Sequence, residues 1–394
     1  MNIDLILLTV FGLVILLILL LNKKNVAIEK IIFPIFYVVM YRTKLGLKLM
    51  NKFSKHKILS LIGIISIIIG ILGMAIISTV IIFGVIPIIY SPLESQSSVY
   101  PLLPGVQIPG YPNLSFFHWI IAITILAAAH EFAHGVYARR HNIKVKSSGF
   151  AFLAIFLPIL PAAFVEPDEK KLSKRSPKAQ LEVFSAGPFA NLILFIIFLG
   201  IFLVISPIEA NTINTQGVII YDITDNSTFN TLPEKNEIIT EINEIKISNA
   251  KQLDNQVKLL ANTNTTLKTN SSNYNINLDN KTKLGILASD YSIGYKPEMQ
   301  AKYGSFLLKS FSWTKLLFLW MTLINLFVGL MNLLPIFITD GGKMIQSLAL
   351  LITKHPRHSK RIWLWINSFF LLLMAILIWP WILKIIKIII SLFL

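Results

Sequence analysis

Six long apolar runs set the fold class of this chain of 394 residues. A helix that crosses the hydrocarbon core of a bilayer needs about 20 apolar residues. Only 14% of the residues are charged, whereas soluble globular proteins contain about 25%. We therefore predict an α-helical polytopic membrane protein with about six transmembrane helices. The six runs are residues 5–21, 58–90, 117–137, 184–205, 313–334 and 362–394.

The basic residues lie beside the apolar runs. The net charge of +16 is of a kind that can indicate nucleic-acid binding, but here lysine and arginine cluster in short segments next to the runs. This pattern is typical of cytoplasmic loops of membrane proteins, so we predict no nucleic-acid partner.

No positive charge precedes the first run, and Lys23 and Lys24 follow it. A secretory signal has the reverse polarity, so we predict a retained anchor in the cell membrane with its N-terminus outside. Residues 23–57, 139–180 and 354–361 are predicted inside, and residues 91–115 and 207–310 outside.

Two apolar segments are too short to cross the membrane. Residues 149–164 are interrupted by Pro158 and Pro161. We predict that they form a re-entrant hairpin, which is permitted at membrane depth where protein or a water-filled cavity satisfies the backbone. Residues 31–41 are similarly short and are predicted to lie at the membrane interface.

The composition changes sharply between residues 216 and 289. This segment is polar and rich in asparagine. Its alternating apolar residues at 217–221 and 237–247 predict half-buried strands, and the apolar spacing of residues 250–260 predicts a short helix. We therefore predict a small extramembrane α+β domain. The predicted organisation is an N-terminal anchor and basic loop (1–57), a membrane region (58–206), the extramembrane domain (210–295) and a C-terminal membrane region (311–394).

The third apolar run contains the sequence His130-Glu131-Phe-Ala-His134. Residues i and i+4 share one face of a helix, so both imidazoles can reach one zinc ion, with Glu131 beside its water as a general base. The same pentapeptide also arises by chance on solvated helices. At bilayer depth, however, a charged side chain costs about 2.5–3.5 kcal/mol, so three ionisable residues in one turn require a compensating partner. We predict one Zn²⁺ ion.

A catalytic zinc site generally has a third protein ligand. The chain contains no cysteine, and the acidic residue of the fifth apolar region is Asp340. Pro335 ends the helix before it, and the glycine pair after it lets the backbone approach closely. Two alternatives stay open. Asp340 could cap the following helix, and Glu166 or Glu169 could be the third ligand, as in another class of membrane protease.

Three motifs in this order resemble those of the site-2 protease family of intramembrane metalloproteases. They are His130-Glu-Phe-Ala-His134, Ser185-Ala-Gly-Pro-Phe-Ala-Asn191 and Asn332-Leu-Leu-Pro followed by Asp340-Gly-Gly. The resemblance covers about residues 104–346. It implies that His130, His134 and Asp340 are zinc ligands, that Glu131 is the general base, and that the metal lies below the cytoplasmic surface.

Other positions of these motifs are less defined. Thr339 stands where the family usually has leucine. Asn191 and Asn332 match motif positions; each is a candidate for orienting the substrate carbonyl, with helix packing as the alternative role. Gly187 and Pro188 are predicted to start a helix, because proline is tolerated in a first turn.

The extramembrane segment resembles a PDZ domain, a frequent insertion in this family. Residues 217–224 resemble the strand after the carboxylate-binding loop, and residues 237–247 resemble the Gly-Asp-x-Ile…Ile-Asn-Gly core. Asn236 and Glu237 replace Gly-Asp, and Glu244 replaces the last glycine. Peptide binding and a role as a spacer or gate stay open as alternatives.

The resemblance implies an endopeptidase that cleaves a transmembrane segment of single-pass membrane proteins within the bilayer. One alternative is a catalytically inactive scaffold that displays the PDZ-like domain. Another is a metal transporter, which predicts more intramembrane carboxylates than the sequence contains.

Overall fold

Two compact units make up the chain. In the computed structural model, the first unit comprises Met1–Gln107, Asn113–Ile201 and Leu317–Leu394, and the second comprises Ile108–Pro112 and Phe202–Leu316. The structure describes residues 3–22, 26–32, 36–92, 99–108, 110–155, 157–223, 233–234, 236–260, 263–278 and 283–393.

Six described helices are long and apolar enough to cross a membrane, as the sequence predicts. Many of their large apolar side chains are exposed, as is expected of surfaces that face lipid. The six are α1 (Ile3–Leu21), α3 (Leu59–Tyr90), α4 (Phe116–Arg140), α6 (Pro177–Ala210), α8 (Pro297–Leu333) and α10 (Pro356–Phe393). The shorter helices are α2 (Leu47–Phe53), α5 (Glu169–Leu172), α7 (Ala250–Leu259) and α9 (Asp340–Thr353).

Helix α6 begins ten residues before Gly187, the position that the sequence predicts as a helix start. Gly187 and Pro188 lie inside it, and Pro177 is its first residue, so the prediction that the Gly-Pro pair starts a helix is wrong. Proline is tolerated inside a membrane helix because neighbouring helices and local adjustments satisfy the freed backbone groups. Helix α8 is also longer than predicted, with a non-helical backbone at Gly304, and it ends before Pro335 as predicted.

A four-stranded antiparallel sheet belongs to the first unit. Its order is β1 (Val26–Ile32), β2 (Phe36–Thr43), β3 (Val145–Ile155) and β4 (Leu157–Pro167). The segment predicted as a re-entrant hairpin forms the paired strands β3 and β4, whereas the sequence did not predict β1 and β2 as strands. Pro158 and Pro161 lie in β4, at the edge of the sheet, where a missing N–H does not break a ladder.

Small residues bring α3 close to its neighbours. Gly63, Ser66, Gly70 and Gly73 recur along α3 and are buried. The Ser66 hydroxyl is 2.8 Å from that of Ser185 in α6, and a Cβ at Gly73 would collide with Leu333. Close backbone approach and side-chain hydrogen bonds of this kind hold membrane helices together.

The second unit contains a six-stranded antiparallel sheet with α7 beside it. Its interior is formed by alternate apolar residues, among them Val218, Ile220, Ile239 and Ile242. The predicted strands and helix are confirmed. The sheet order is β10 (Ile286–Tyr295), β5 (Ile213–Ile223), β6 (Ile238–Ile242), β8 (Asn264–Thr269) and β9 (Asn273–Asn277), and β7 (Ile245–Lys246) pairs with β6.

Three residues of the second unit that are not glycine have left-handed backbone conformations. Asn243 and Glu244 form the two-residue turn between β6 and β7, with φ of 45° and 67°. Asn236 has φ of 73°. A two-residue hairpin with positive φ at both positions suits the twist of paired strands, and Asn243 and Glu244 adopt this turn although neither is glycine.

Glu237 has a buried carboxylate in the second unit. It accepts hydrogen bonds from the hydroxyl of Thr269, from that of Tyr274 at 2.6 Å and from the amide of Glu234 at 3.0 Å. Burial disfavours the charged form, but these hydrogen bonds outweigh burial and hold the pKa of Glu237 below its ordinary value of 4.5.

The stability of the second unit should therefore depend on pH through Glu237. Because the pKa is lower in the folded state, the stabilisation is present above about pH 4.5 and is lost as the pH falls through the folded value. We expect amide exchange of β6 and β9 in the full-length protein, corrected for its intrinsic rate, to accelerate in this range. Glu237→Gln should cost about 1–3 kcal/mol at pH 7 and flatten the pH dependence. An unchanged pH profile in this variant would assign the effect to another group.

Candidate metal centre

Three side chains from distant parts of the sequence converge inside the first unit. The Nε2 atoms of His130 and His134 are 3.1 Å apart. Each also lies 3.1 Å from Oδ2 of Asp340. His130 and Asp340 are buried. The sequence placed these residues in one site, and the structure brings all three together.

The backbone of α6 defines the protonation of one imidazole. Nδ1 of His134 lies 2.6 Å from the carbonyl oxygen of Val183. A carbonyl only accepts, so Nδ1 carries the proton. In the neutral ring, Nε2 then offers its lone pair to the centre of the cluster, as a metal ligand must.

The other imidazole is contacted by a side-chain amide. Nδ1 of His130 lies 3.0 Å from Nδ2 of Asn191, which is fully buried. In this orientation, Oδ1 of Asn191 is buried with no hydrogen-bond partner among the described residues. The two ends of an amide exchange by a half-turn. The exchanged orientation lets Oδ1 accept from Nδ1–H of His130, which satisfies both groups and frees Nε2 for a metal.

The spacing of the three ligand atoms fits a zinc ion. Two ligands about 2.0–2.1 Å from a tetrahedral ion lie about 3.3–3.4 Å apart, close to the 3.1 Å observed. Gly187 leaves space beside them, since a Cβ there would lie 2.6 Å from Nε2 of His130 and closer still to Nε2 of His134. Within the described chain, the group of side chains that could hold a metal ion consists of His130, His134 and Asp340.

Asp340 is not the cap of the helix that follows it. The cap of α9 is Thr339, whose hydroxyl accepts from the amide of Gly342 at 3.3 Å. The capping alternative for Asp340 is therefore wrong, and the threonine found in place of leucine has a structural role. A Cβ at Gly341 would collide with the carbonyl of Leu333, so the glycine pair permits the tight turn that brings Asp340 to the histidines.

Glu131 is held by the edge strand of the sheet. Its Oε2 accepts a hydrogen bond of 2.8 Å from the backbone amide of Val165 in β4. Helix α4 packs against β4 along this region. The carboxylate is therefore kept beside the two histidines by a backbone donor and is not itself one of the three clustered ligands.

A cavity of about 410 Å³ opens onto this cluster. Asn332 lines it, although no hydrogen bond joins Asn332 to the three ligand atoms in the described chain. Glu169 also lines the cavity. Glu166 lies elsewhere, bonded to Ser147 at 2.7 Å and to Arg42 at 3.5 Å. The described cluster therefore favours Asp340 over either glutamate as the third ligand.

Three features of the site were missed by the sequence reasoning. The space left by Gly187, the carbonyl of Val183 and the amide of Val165 all act across tertiary contacts. The first two lie within or beside the Ser185-Ala-Gly-Pro-Phe-Ala-Asn191 motif, so that motif was the available signal. The amide of Val165 is a backbone group, so no side-chain pattern in the sequence could have indicated its role.

Replacing Gly187 by alanine should block the metal centre. The added methyl group would occupy the space in front of both Nε2 atoms, so we expect zinc per protein, measured by plasma mass spectrometry, to fall well below one. Gly200→Ala on the same helix is the matched control, because a Cβ there meets nothing within 4 Å. Full zinc occupancy in Gly187→Ala would contradict this geometry.

Comparison with known proteins agrees with the site. The family model of peptidase family M50 matches residues 118–376, a range that contains all four predicted zinc and catalytic residues. The chain is 32% identical over 314 residues to an uncharacterized protein of Methanocaldococcus jannaschii, covering 76% of this chain and 74% of the relative. The resemblance to the site-2 protease family is thereby confirmed, and this chain belongs to the membrane metalloproteases of peptidase family M50.

Proposed function

We propose that this chain is an intramembrane zinc-dependent endopeptidase that cleaves a transmembrane segment of single-pass membrane proteins. The observation that carries the proposal is the triangle of ligand atoms from His130, His134 and Asp340, with sides of 3.1 Å. Glu131 lies beside it on the same helix. Helix α4 has the length and composition of a membrane span, so the reacting groups lie within the apolar body of the protein.

His130, His134 and Asp340 would hold a zinc ion, and a catalytic zinc site combines three such protein ligands with a water molecule. When bound, zinc supplies Lewis-acid chemistry, polarising the scissile carbonyl and activating a water molecule. Glu131 removes a proton from the attacking water and delivers it to the leaving amine. The amide of Val165 restrains one carboxylate oxygen, which leaves the other free for this proton transfer.

The edge strand β4 is suited to hold the substrate. It ends the sheet order, and Phe164, Val165 and Pro167 line the cavity at the cluster. A peptide bond inside a helix is shielded by its own hydrogen bonds, so the substrate must unwind before cleavage. An extended peptide can pair with a free strand edge through its backbone. We infer that the β3–β4 hairpin is re-entrant and binds the unwound segment in this way.

We further propose the membrane orientation given by the basic loops, with the N-terminus and the second unit outside. The hydrogen bond of 2.9 Å between Asp4 and the amide of Phe116 places the starts of α1 and α4 at the same end of the first unit, as that orientation requires. The α+β architecture and the left-handed turn at Asn243 and Glu244 support a PDZ-like second unit.

Metal content and cleavage test the proposal together. We expect about one zinc per wild-type chain and much less in His134→Ala and Asp340→Ala, because each removes one of three ligands. Glu131→Gln should retain zinc but lose cleavage of a model spanning peptide, because an amide cannot accept the proton. Zinc is measured by plasma mass spectrometry, and cleavage by the mass of the products.

Each outcome has a distinct meaning. Full zinc in Asp340→Ala would remove Asp340 from the site. Undiminished cleavage by Glu131→Gln would refute the general-base role. Zinc binding by the wild type without cleavage of any spanning peptide would favour the catalytically inactive scaffold.

Asn191 is proposed as a positioning residue for His130 rather than a group that orients the substrate carbonyl. It lies behind the imidazole, fully buried, and it is not among the residues that line the cavity. Partners of this kind fix the tautomer and orientation of a ligating histidine. Asn332, which does line the cavity, remains the candidate for orienting the substrate.

Removing the amide of Asn191 should weaken zinc binding. Asn191→Leu keeps the approximate volume but cannot accept from Nδ1–H, so we expect about 10- to 100-fold lower zinc affinity in competition with a chromogenic chelator. Asn191→Asp keeps an acceptor at this position and should largely retain the affinity. Equal zinc affinities for wild type and Asn191→Leu would assign Asn191 to helix packing alone.

A further inference from the structure

A basic pocket lies at the end of α4 that follows the histidines. It has a volume of about 560 Å³. Four of its eight lining residues are cationic, and no carboxylate lines it. In the part of the chain that the structure describes, none of the four cations is in an ion pair. The lining residues are Asn51, Ser54, Lys55, Arg139, Arg140, Asn142, Ile143 and Lys144.

Neutral carbonyl and hydroxyl groups hold the two arginines in place. Arg140 donates to the carbonyl of His56 at 3.0 Å and also to the hydroxyl of Ser60. Arg139 donates to the carbonyl of Val145 at 2.8 Å. Its Nε is buried with no hydrogen-bond partner among the described residues. Both guanidinium groups are thus fixed in position while their charge is not neutralised.

Two carboxylate residues that contact residues in or next to the pocket have their carboxylates engaged elsewhere. Glu182 lies 2.7 Å from Nε2 of His141. Asp168 approaches through its backbone amide, which donates to the carbonyl of Lys144, while its carboxylate accepts from the amide of Lys171 at 3.2 Å. The pocket therefore has an excess of positive charge, which a bound anion would neutralise.

The wall formed by α2 has an exposed apolar face. Leu49 and Phe53 of α2 and Leu45, two residues before the helix, recur every four residues, and the exposed fractions of Leu45, Leu49 and Phe53 are 71%, 53% and 47%. Lys48 and Lys52 lie between them in sequence. A short helix with an apolar face and flanking lysines is typical of a segment that lies in the membrane interface.

Contacts with α4 place α2 beside the last turns of a helix that is long and apolar enough to span a membrane. A Cβ at Gly135 would collide with Met50 of α2, and the rings of Phe53 and Phe132 pack edge to face at 5.8 Å. Helix α2 therefore packs near the end of α4 that carries Arg139 and Arg140, and basic residues at the end of a span are expected at the headgroup level.

We propose that this pocket binds the phosphate of an anionic membrane lipid, whose acyl chains lie against the apolar face of α2. Arg139 and Arg140 supply planar donors, which suit phosphate oxygens. Lys55 and Lys144 add flexible charge at the rim. The site is separate from the metal centre and does not depend on the proposed proteolysis.

Lipid retention by the full-length protein tests the proposal. The protein is purified in neutral detergent, titrated with phosphatidylglycerol or phosphatidylcholine, and examined by native mass spectrometry. We expect one phosphatidylglycerol to be retained preferentially. The Lys55→Gln/Lys144→Gln double variant should bind it at least about tenfold more weakly, since each lysine near anionic lipid contributes about 1 kcal/mol. Neither lysine makes a side-chain hydrogen bond to the described chain, so the fold should be unaffected.

The matched control removes the same charge from the same end of the unit. Lys178 and Lys360 are exposed, and contacts of Gln180 with Ser347 and of Ser359 with Gln346 place the starts of α6 and α10 together. Lys178→Gln/Lys360→Gln should retain the lipid. Equal losses in both double variants would show general surface attraction and overturn the pocket. Thermal stabilisation by inorganic phosphate in detergent equal to that by phosphatidylglycerol would identify the ligand as a free anion and also overturn the proposal.

Discussion

The main physical constraint on the first unit is the burial of two imidazoles and a carboxylate, which must be compensated inside an apolar protein. Two imidazoles and a carboxylate converge inside apolar helices, where an unpaired ionised group would be strongly unfavourable. The surrounding backbone accommodates this cluster. Gly187 leaves the central space, and the turn at Gly341 lets α9 begin at the cluster. Small residues on α3 then allow the helices that carry these groups to pack closely. A divalent ion would make such a convergence favourable, and the three residues are of the types that hold one.

The sequence indicated the three clustered residues because their chemistry is encoded locally. His130 and His134 share a face through helical periodicity, and Asp340 stands beside a proline and two glycines that mark a break. The remaining contacts are not local. The carbonyl of Val183 lies 49 residues from His134, and Asn191 lies 61 residues from His130. No periodicity reports such pairs, and a backbone group has no residue signature. Strands β1 and β2 were missed for a related reason, since a short apolar run does not distinguish a strand from an interfacial segment.

Strand β4 connects the sheet with the chemistry. Its prolines suggested an irregular hairpin from sequence, yet they are compatible with a strand because β4 lies at the edge. The same edge position lets the amide of Val165 point to Glu131 rather than to another strand. A substrate that pairs along β4 would therefore lie beside Glu131, the proposed general base. One rigid strand would then position both the bound peptide and the carboxylate of Glu131. A strand holds such groups in place more precisely than separate loops do.

Helix α4 also relates the metal centre to the membrane surface. His134 and Arg139 are five residues apart, which corresponds to about 7.5 Å along a helix, and His130 and Arg140 are ten apart, or about 15 Å. If the basic pocket is fixed at the headgroup phosphates, His130 and His134 lie at most about 15 Å below the phosphates. That depth is shallow enough for water to reach the cavity, yet deep enough that a substrate helix must unwind to present a peptide bond. The lipid contact would thus set which peptide bond of a spanning helix lies opposite the zinc ligands.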